Sequence, residues 1–242
     1  MSLQNGTPAP NGGLDVDTLA YRRRKYQPIA ALLEEAYGYP TWRPALDPVD
    51  ELVSTILSQN TSDTNRDMAF EALKQRYPSW EAVCEAPTGE VAAPIRSAGL
   101  SHQKAPRIQA ALRRIAAEQG RITLDFVAEM PVEEAKAWLT GFHGIGPKTA
   151  AIILLFAFGK PAFPVDTHVH RVTKRLGLIG PKTSAEQAHR ELEAIIPPDD
   201  YYPAHLNIIR HGRRVCQARR PRCEVCPLTA HCDYFQALDR LD

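Results

Sequence analysis

The sequence predicts an all-α fold, and three observations carry that prediction. Apolar residues recur at helical spacing, as in the face formed by Ile108, Ala111, Leu112 and Ile115. Glycine and proline close the periodic segments, as Gly38 with Pro40, Gly120, Gly159 with Pro161, and Pro197 with Pro198 do. No run alternates apolar and polar residues between hairpin turns, so strands are not expected. No internal repeat is visible either.

Taken in order, residues 1–16 are rich in Gly, Pro and Asn and read as a disordered tail. Asp17 to Tyr37 reads as a helix with Ile29, Leu32, Leu33 and Ala36 on its apolar face. Arg22, Arg23 and Arg24 read as its solvated face. Pro48 to Gln59 is a second helix, followed by the string LSQNTSD from Leu57 to Asp63. Ser62 or Asp63 suits the cap of the next helix, which runs to about Tyr77. Ser79 or Trp80 starts a short helix that holds Cys84, a small core residue on this reading. Thr88 to Ala98 reads as helical despite Pro94, and Gly99 breaks it. Lys104 to Glu118 is strongly helical. Short helices around Leu124 to Glu129 and Pro131 to Leu139 lead to Gly144 and Gly146. The apolar run Thr149 to Phe158 suits a buried helix. Helices over Thr167 to Leu176, Ser184 to Ile196 and Pro203 to Val215 complete the reading.

A chain of 242 residues can bury a sizeable core, as one domain or two small lobes. Its formal net charge of +1 does not announce a polyanionic partner. The distribution does more, because His205 to Cys223 holds six arginines and no acidic residue. Such a patch is either a solvated helix face or a phosphate contact, and the planar fork of arginine favours phosphate. No basic start is followed by an apolar segment, and the run Ala150 to Phe158 is too short to span a bilayer. The expectation is a cytoplasmic protein with no membrane partner.

Gly144-Ile145-Gly146 lies between two helical patterns and reads as a tight hairpin. Glycine permits positive φ there, and Pro147 fits an early helical position. The exposed N–H groups at the start of the second helix suit an anion such as phosphate. On the two glycines alone, a plain helical turn remains open.

Cys216, Cys223, Cys226 and Cys232 have the spacing C-x6-C-x2-C-x5-C. In a reducing compartment that reads as metal ligation rather than disulfides. Four thiolates suit Zn2+ or a [4Fe–4S] cluster, and the spacing alone does not choose.

Lys148 stands at the start of the hairpin's second helix, where a cation opposes the helix dipole. The same opposition favours the neutral amine, which is the nucleophilic form. The dipole supplies only about 0.3–1 kcal/mol. Bringing a lysine to near neutrality needs roughly 4 kcal/mol, so desolvation must supply most of any shift. Asp166 precedes a helix and reads either as its N-cap or as a rigidly held catalytic carboxylate. His168 and His170 read as lining a cleft or facing a nucleic acid, because neither a carboxylate nor a third histidine lies at ligand spacing.

The string LTGFHGIGPKTAAIILLFAFGKPAFPVDTHVHRVTKRLGL, Leu139 to Leu178, resembles the helix-hairpin-helix, Gly/Pro-rich loop and Asp of the DNA glycosylase superfamily. The likeness is to the endonuclease III family, and it continues in weaker form from about Pro40 to Cys232. The resemblance implies two helical lobes with a DNA cleft between them. One lobe is a six-helix barrel at 42–160. The other joins 17–41 to 161–242 and holds one [4Fe–4S] cluster on the four cysteines. It implies a bifunctional DNA glycosylase and abasic-site lyase of base excision repair. Its partner is double-stranded DNA with a damaged base or an abasic site, oxidised pyrimidines being the implied lesion. The enzyme is expected to act as a monomer, at the nucleoid in a bacterium.

Lys148 and Asp166 match the family's nucleophile and essential aspartate. Gly144, Gly146 and Thr149 match the hairpin that grips DNA, and Arg219 and Arg220 are presented beside the cluster. Gln59, Asn60 and Leu100 match the region that fills the space left by a flipped nucleotide. Leu100 reads equally as a core leucine. The family often has S-A-Q where this chain has Ser58-Gln59-Asn60, so the choice between Gln59 and Asn60 stays open. Phe142-His143 stands where Leu-Pro is common, which leaves the fine geometry of the hairpin open. Two other readings compete. One is a monofunctional adenine or mismatch glycosylase, which would lack a lysine at position 148. The other is a non-catalytic, metal-stapled DNA-binding module, which leaves Lys148 and Asp166 unexplained together.

Overall fold

The computed structural model describes residues 14–238, and among them the regular structure is helical, without a strand. Two compact units divide the chain: residues 43–160 form one, and residues 1–42 with 161–242 form the other. Residues 1–13 of the tail read from the sequence lie outside the described residues. Its last residue is already helical, because α1 spans Val16–Tyr37 and Asp15 caps it by accepting from the Thr18 N–H at 2.9 Å.

The contiguous unit carries α2 (Pro48–Ser58), α3 (Asp63–Arg76), α4 (Trp80–Glu85), α5 (Thr88–Ala92), α6 (Ser101–Gln119), α7 (Val132–Thr140) and α8 (Pro147–Phe158). Side-chain caps explain several of the starts. Asp47 accepts from the Val49 N–H with Pro48 in the first turn, Ser62 accepts from Asn65, and Ser79 from Ala82. The cap of α3 is therefore Ser62, not Asp63. The helix expected to run from Thr88 to Ala98 stops at Ala92. Pro94 has no N–H to return to the preceding turn, so the chain breaks and restarts as a 3-10 turn over Arg96–Ala98. The expected helix near Leu124 to Glu129 is likewise a 3-10 turn, Asp125–Ala128.

Helix α2 packs on α8, α3 and α6. It buries Leu52, Val53, Ile56 and Leu57, and α8 buries Ile153, Leu154 and Leu155. This core holds the start of α8, and hence the hairpin, in place. Gly159 ends α8 in the left-handed region at φ 63, and the Lys160 N–H closes back on the Leu154 carbonyl at 2.9 Å.

The two-segment unit holds α1 together with α9 (Thr167–Leu176), α10 (Ala185–Ile195), α11 (Tyr201–Arg214) and α12 (Asp233–Leu238). Helix α9 packs on α11, α12 and α10, while α1 packs on α11 and α10. Gly212 permits the close approach of α11 to α9, since a Cβ there would lie 3.0 Å from the Cβ of His168. Of the three arginines read as a solvated face, Arg23 and Arg24 are exposed and Arg22 is part-buried. Arg22 pairs with Glu191 at 2.6 Å and Arg23 donates to the Ala194 carbonyl at 2.8 Å, so both fasten α1 to α10. The short helix α12 has no counterpart in the sequence reading.

Candidate active site and cysteine cavity

In the contiguous unit the hairpin joins α7 to α8. Gly144 has φ 84, where only glycine is unstrained, and Arg107 lies over it. Gly146 differs: its φ of −96° and ψ of −178° suit any residue, and a Cβ there would meet nothing within 4 Å. Ile145 between them is 4% exposed and pins the turn into the core. No side chain caps α8, so its first-turn N–H groups, those of Lys148 and Thr149, point out of the helix end. Lys148 is exposed. Thr149 is buried, so it offers an approaching anion its N–H rather than its hydroxyl.

Phe142, in the unusual Phe-His pair, is buried. Its ring meets Trp138 edge-on at 4.7 Å, Trp138 meets Phe126 at 5.0 Å, and the Arg114 guanidinium lies 4.2 Å from the Phe142 ring centre. The larger side chain is thus absorbed by an aromatic stack beneath the turn, and His143 faces solvent.

The structure separates Gln59 from Asn60. The Gln59 amide donates to the Gly144 carbonyl at 2.8 Å, bracing the hairpin. Asn60 is exposed, at φ 55. Leu100 is 49% exposed, at φ 50. These are the two non-glycine residues with positive φ among the described residues. Asparagine tolerates that conformation, but for leucine it costs about 1–2 kcal/mol. Leu100 is therefore not the core leucine that one reading offered.

The two-segment unit carries Asp166 and the cysteines. Asp166 caps α9, accepting from the Val169 N–H at 2.7 Å. His170 bonds to the Thr183 carbonyl at 2.9 Å, and the His168 ring meets Arg171 at 3.1 Å. Both histidines thus find partners within the unit and stay part-exposed.

Cys216, Cys223, Cys226 and Cys232 line one cavity, with Val172, Leu176, His211 and Tyr234 among its walls. Burial and the neighbouring thiols push the Cys226 thiol up to about 11, and burial raises Cys223 and Cys232 as well. Ionising these sulfurs is therefore costly until a cation shares the cavity. Arg175 donates to the Cys216 sulfur at 3.3 Å and to the carbonyls of Gln217 and Ala218. Arg171 donates to the carbonyls of Cys216 and Gly212. His211 sits between Tyr37 at 3.1 Å and the Cys226 sulfur at 3.6 Å, and burial lowers its pKa to about 4. The sequence reading missed Arg175 and His211. Their signal was faint: a cation in the last turn of α9, and a histidine five residues before the first cysteine. Arg219 and Arg220 are exposed on the first loop between cysteines. Arg210, in contrast, donates to the Tyr37 carbonyl at 3.1 Å.

The structure therefore places Lys148, Gln59, Asn60, Leu100 and the hairpin in one unit. It places Asp166, the cysteines and the loop arginines in the other. Among the described residues no helix is long and apolar enough to cross a membrane.

Comparison with known proteins gives this arrangement a context. The family described as HhH-GPD superfamily base excision DNA repair protein matches residues 53–198. Endonuclease III of Thermotoga maritima is 33% identical over 198 residues, covering 82% of this chain and 88% of that protein. Endonuclease III of Synechocystis is 36% identical over 223 residues, covering 90% and 96%. Among solved structures, a trapped endonuclease III–DNA covalent intermediate superposes with a TM-score of 0.75 at 27% identity, covering 91% of this chain and 99% of that one. A non-covalent endonuclease III–DNA complex gives 0.75 at 28%, covering 90% and 98%. The chain belongs to the helix-hairpin-helix superfamily of base excision DNA repair proteins and, within it, to the endonuclease III family.

Proposed function

We propose that this chain removes oxidised pyrimidines from double-stranded DNA and cleaves the resulting abasic site through an imine on Lys148. It is a bifunctional DNA glycosylase and abasic-site lyase of base excision repair. The observation that carries the assignment of the nucleophile is the setting of Lys148. It is an exposed lysine at the uncapped start of α8, directly after a hairpin whose Gly146 leaves open space.

The hairpin N–H groups and the exposed Arg219 and Arg220 hold backbone phosphates. The damaged nucleotide is turned out of the stack. The Lys148 amine attacks C1′, the bond from C1′ to the base breaks, and Asp166 supports the amine and the positive charge growing on the sugar. The ring-opened sugar is then an imine of Lys148. Loss of a C2′ proton expels the 3′ phosphate and nicks the strand. Because Lys148 is exposed, its desolvation comes from the DNA laid over it. The capping bond of Asp166 fixes its carboxylate without preventing this role. The enzyme works as a monomer on DNA in the cytoplasm.

The four cysteines fit one [4Fe–4S] cluster. All four line a shared cavity. Four thiolates are a complete donor set for the cluster, which when bound cross-links the loop that carries Arg219 and Arg220. Arg175 and Arg171 hold that loop to α9 through its carbonyls.

Borohydride trapping tests the proposal. Wild-type protein should be fixed covalently to an abasic-site duplex. Lys148→Gln should bind that duplex and give neither the adduct nor the elimination product. If Lys148→Gln traps as well as wild type, a different amine does the chemistry.

A further inference from the structure

One lysine in the contiguous unit lies where lysines are seldom found. Lys104, on the first turns of α6, is 1% exposed, among the most completely buried of the large side chains. Its Nζ donates to two carbonyl oxygens, those of Leu57 and Ala98, each at 2.8 Å. Leu57 is in the last turn of α2, where carbonyls lack helical partners. Ala98 ends the 3-10 turn before α6. Two residues beyond Ala98 is Leu100, and three beyond Leu57 is Asn60. These are the two non-glycine residues held at positive φ. A single buried ammonium therefore underlies both strained turns.

The placement has further support. Gln59, beside Asn60, reaches across to the Gly144 carbonyl, so the same turn is tied to the hairpin. Leu100 is the residue before α6, and its carbonyl accepts the backbone N–H groups of Gln103 and Lys104 at 2.9 Å. The backbone of Lys104 thus anchors the Leu100 turn, and its side chain anchors that turn to the other. Burial and the nearby Arg107 hold the lysine below its usual pKa, so its stability depends on the two carbonyls it meets. A half-exposed leucine on strained backbone is not explained by core packing. An apolar side chain held rigidly outward suits insertion into a base stack.

We propose that Lys104 is a positioning residue that locks the Asn60 and Leu100 turns into one rigid unit, so that the two side chains enter the DNA stack together when a nucleotide is turned out. The inference rests on the glycosylase reading above. It adds that the two turns act as a couple and that the couple depends on one buried amine. Lys104 touches no substrate on this account.

The test is a set of mutant cycles on a duplex carrying thymine glycol. Leu100→Ala and Asn60→Ala should each lower single-turnover excision about tenfold, with little change in KM, because the filled stack is needed for extrusion and not for backbone binding. Lys104→Met should lower excision similarly. In its background, Leu100→Ala should cost less than about twofold more, since side chains that are no longer held have little left to lose. The coupling between Asn60→Ala and Leu100→Ala should also vanish in Lys104→Met. A 2-aminopurine beside the lesion should brighten with wild type and stay dim with Lys104→Met at saturating protein.

Leu73→Ala, a buried change on α3, serves as the control for general softening, and its effect should simply multiply with that of Leu100→Ala. If Lys104→Met does not fold, Lys104→Gln, whose amide stays polar but is one bond too short to hold both carbonyls at once, takes its place in the cycles. Multiplicative losses for Lys104 and Leu100 would overturn the proposal. So would a double variant, Leu100→Ala with Asn60→Ala, that excises as fast as wild type, and in that case the glycosylase reading would survive. A wild type that neither excises nor traps would overturn both.

Discussion

Gly146 allows the hairpin's role to be separated from its stability. Its backbone lies in the extended region and a Cβ would meet no atom of the protein within 4 Å. Gly146→Ala should therefore fold without strain and gain about 0.4–1 kcal/mol by restricting the unfolded chain. For a chain of this size that is a rise in Tm of roughly 1–4 °C. The same methyl group would stand where a phosphate must come to reach the N–H groups of α8. Losing one charge-assisted hydrogen bond costs about 1.5–3 kcal/mol, or roughly ten- to a hundredfold in Kd. Gly144→Ala should behave in the opposite way. Its φ of 84° and an Arg107 carbon 3.1 Å from the new Cβ make it destabilising by about 1–2 kcal/mol or more. Thermal unfolding followed by circular dichroism, with fluorescence anisotropy on a reduced abasic-site duplex at fixed salt, measures both quantities. A Gly146→Ala protein that is more stable and binds as tightly as wild type would refute the assignment of the hairpin to phosphate.

Other expectations follow from the second unit. Asp166→Asn should keep the cap of α9 and bind DNA normally while single-turnover excision falls at least a hundredfold, roughly the weight of one acid–base group. Asp166→Ala should in addition lose about 0.5–2 kcal/mol in chemical denaturation. Activity surviving in both variants would reduce Asp166 to a cap. Replacing Arg219 and Arg220 together by alanine should flatten the plot of log Kd against log salt by about 2, if each meets one phosphate. An unchanged slope would place both away from DNA. Protein prepared without oxygen should contain about four iron and four sulfide per chain, and one zinc with no sulfide would refute the cluster.

Much of the fold is legible in the sequence because its helices end on local signals. Ser62, Ser79, Asp166 and Ser184 act within three residues of their own position, and Gly120, Gly159 and Gly177 end helices by adopting positive φ. The four cysteines were legible for a similar reason, since their short spacing forces their sulfurs toward one cavity. What escaped depends on partners far along the chain. Arg22 looks solvated until Glu191 is beside it, and Lys104 looks like an ordinary exposed helical residue until Leu57 and Ala98 are placed over its amine. Pro94 shows the limit of periodicity: the apolar pattern continues through Ile95 and Ala98, but the missing N–H stops the helix. The strain at Leu100 has no sequence signal, because leucine is among the least expected residues at positive φ.

The division of one unit into two separated segments has a consequence for how the chain is made. Helix α1 buries Tyr26, Ile29 and Leu33, yet the helices it packs on, α10 and α11, lie beyond the whole of the contiguous unit. At ordinary ribosome speeds of about 5–20 residues per second, α1 waits on the order of ten seconds or more for its partners to emerge. Residues 43–160 need no such wait and can collapse on their own while it lasts. During that interval an amphipathic helix trails from an already folded body with its oily stripe uncovered, a natural substrate for holding chaperones. Most of the cysteine loop is synthesised after α11, so its four thiols come together only once α1 has somewhere to dock.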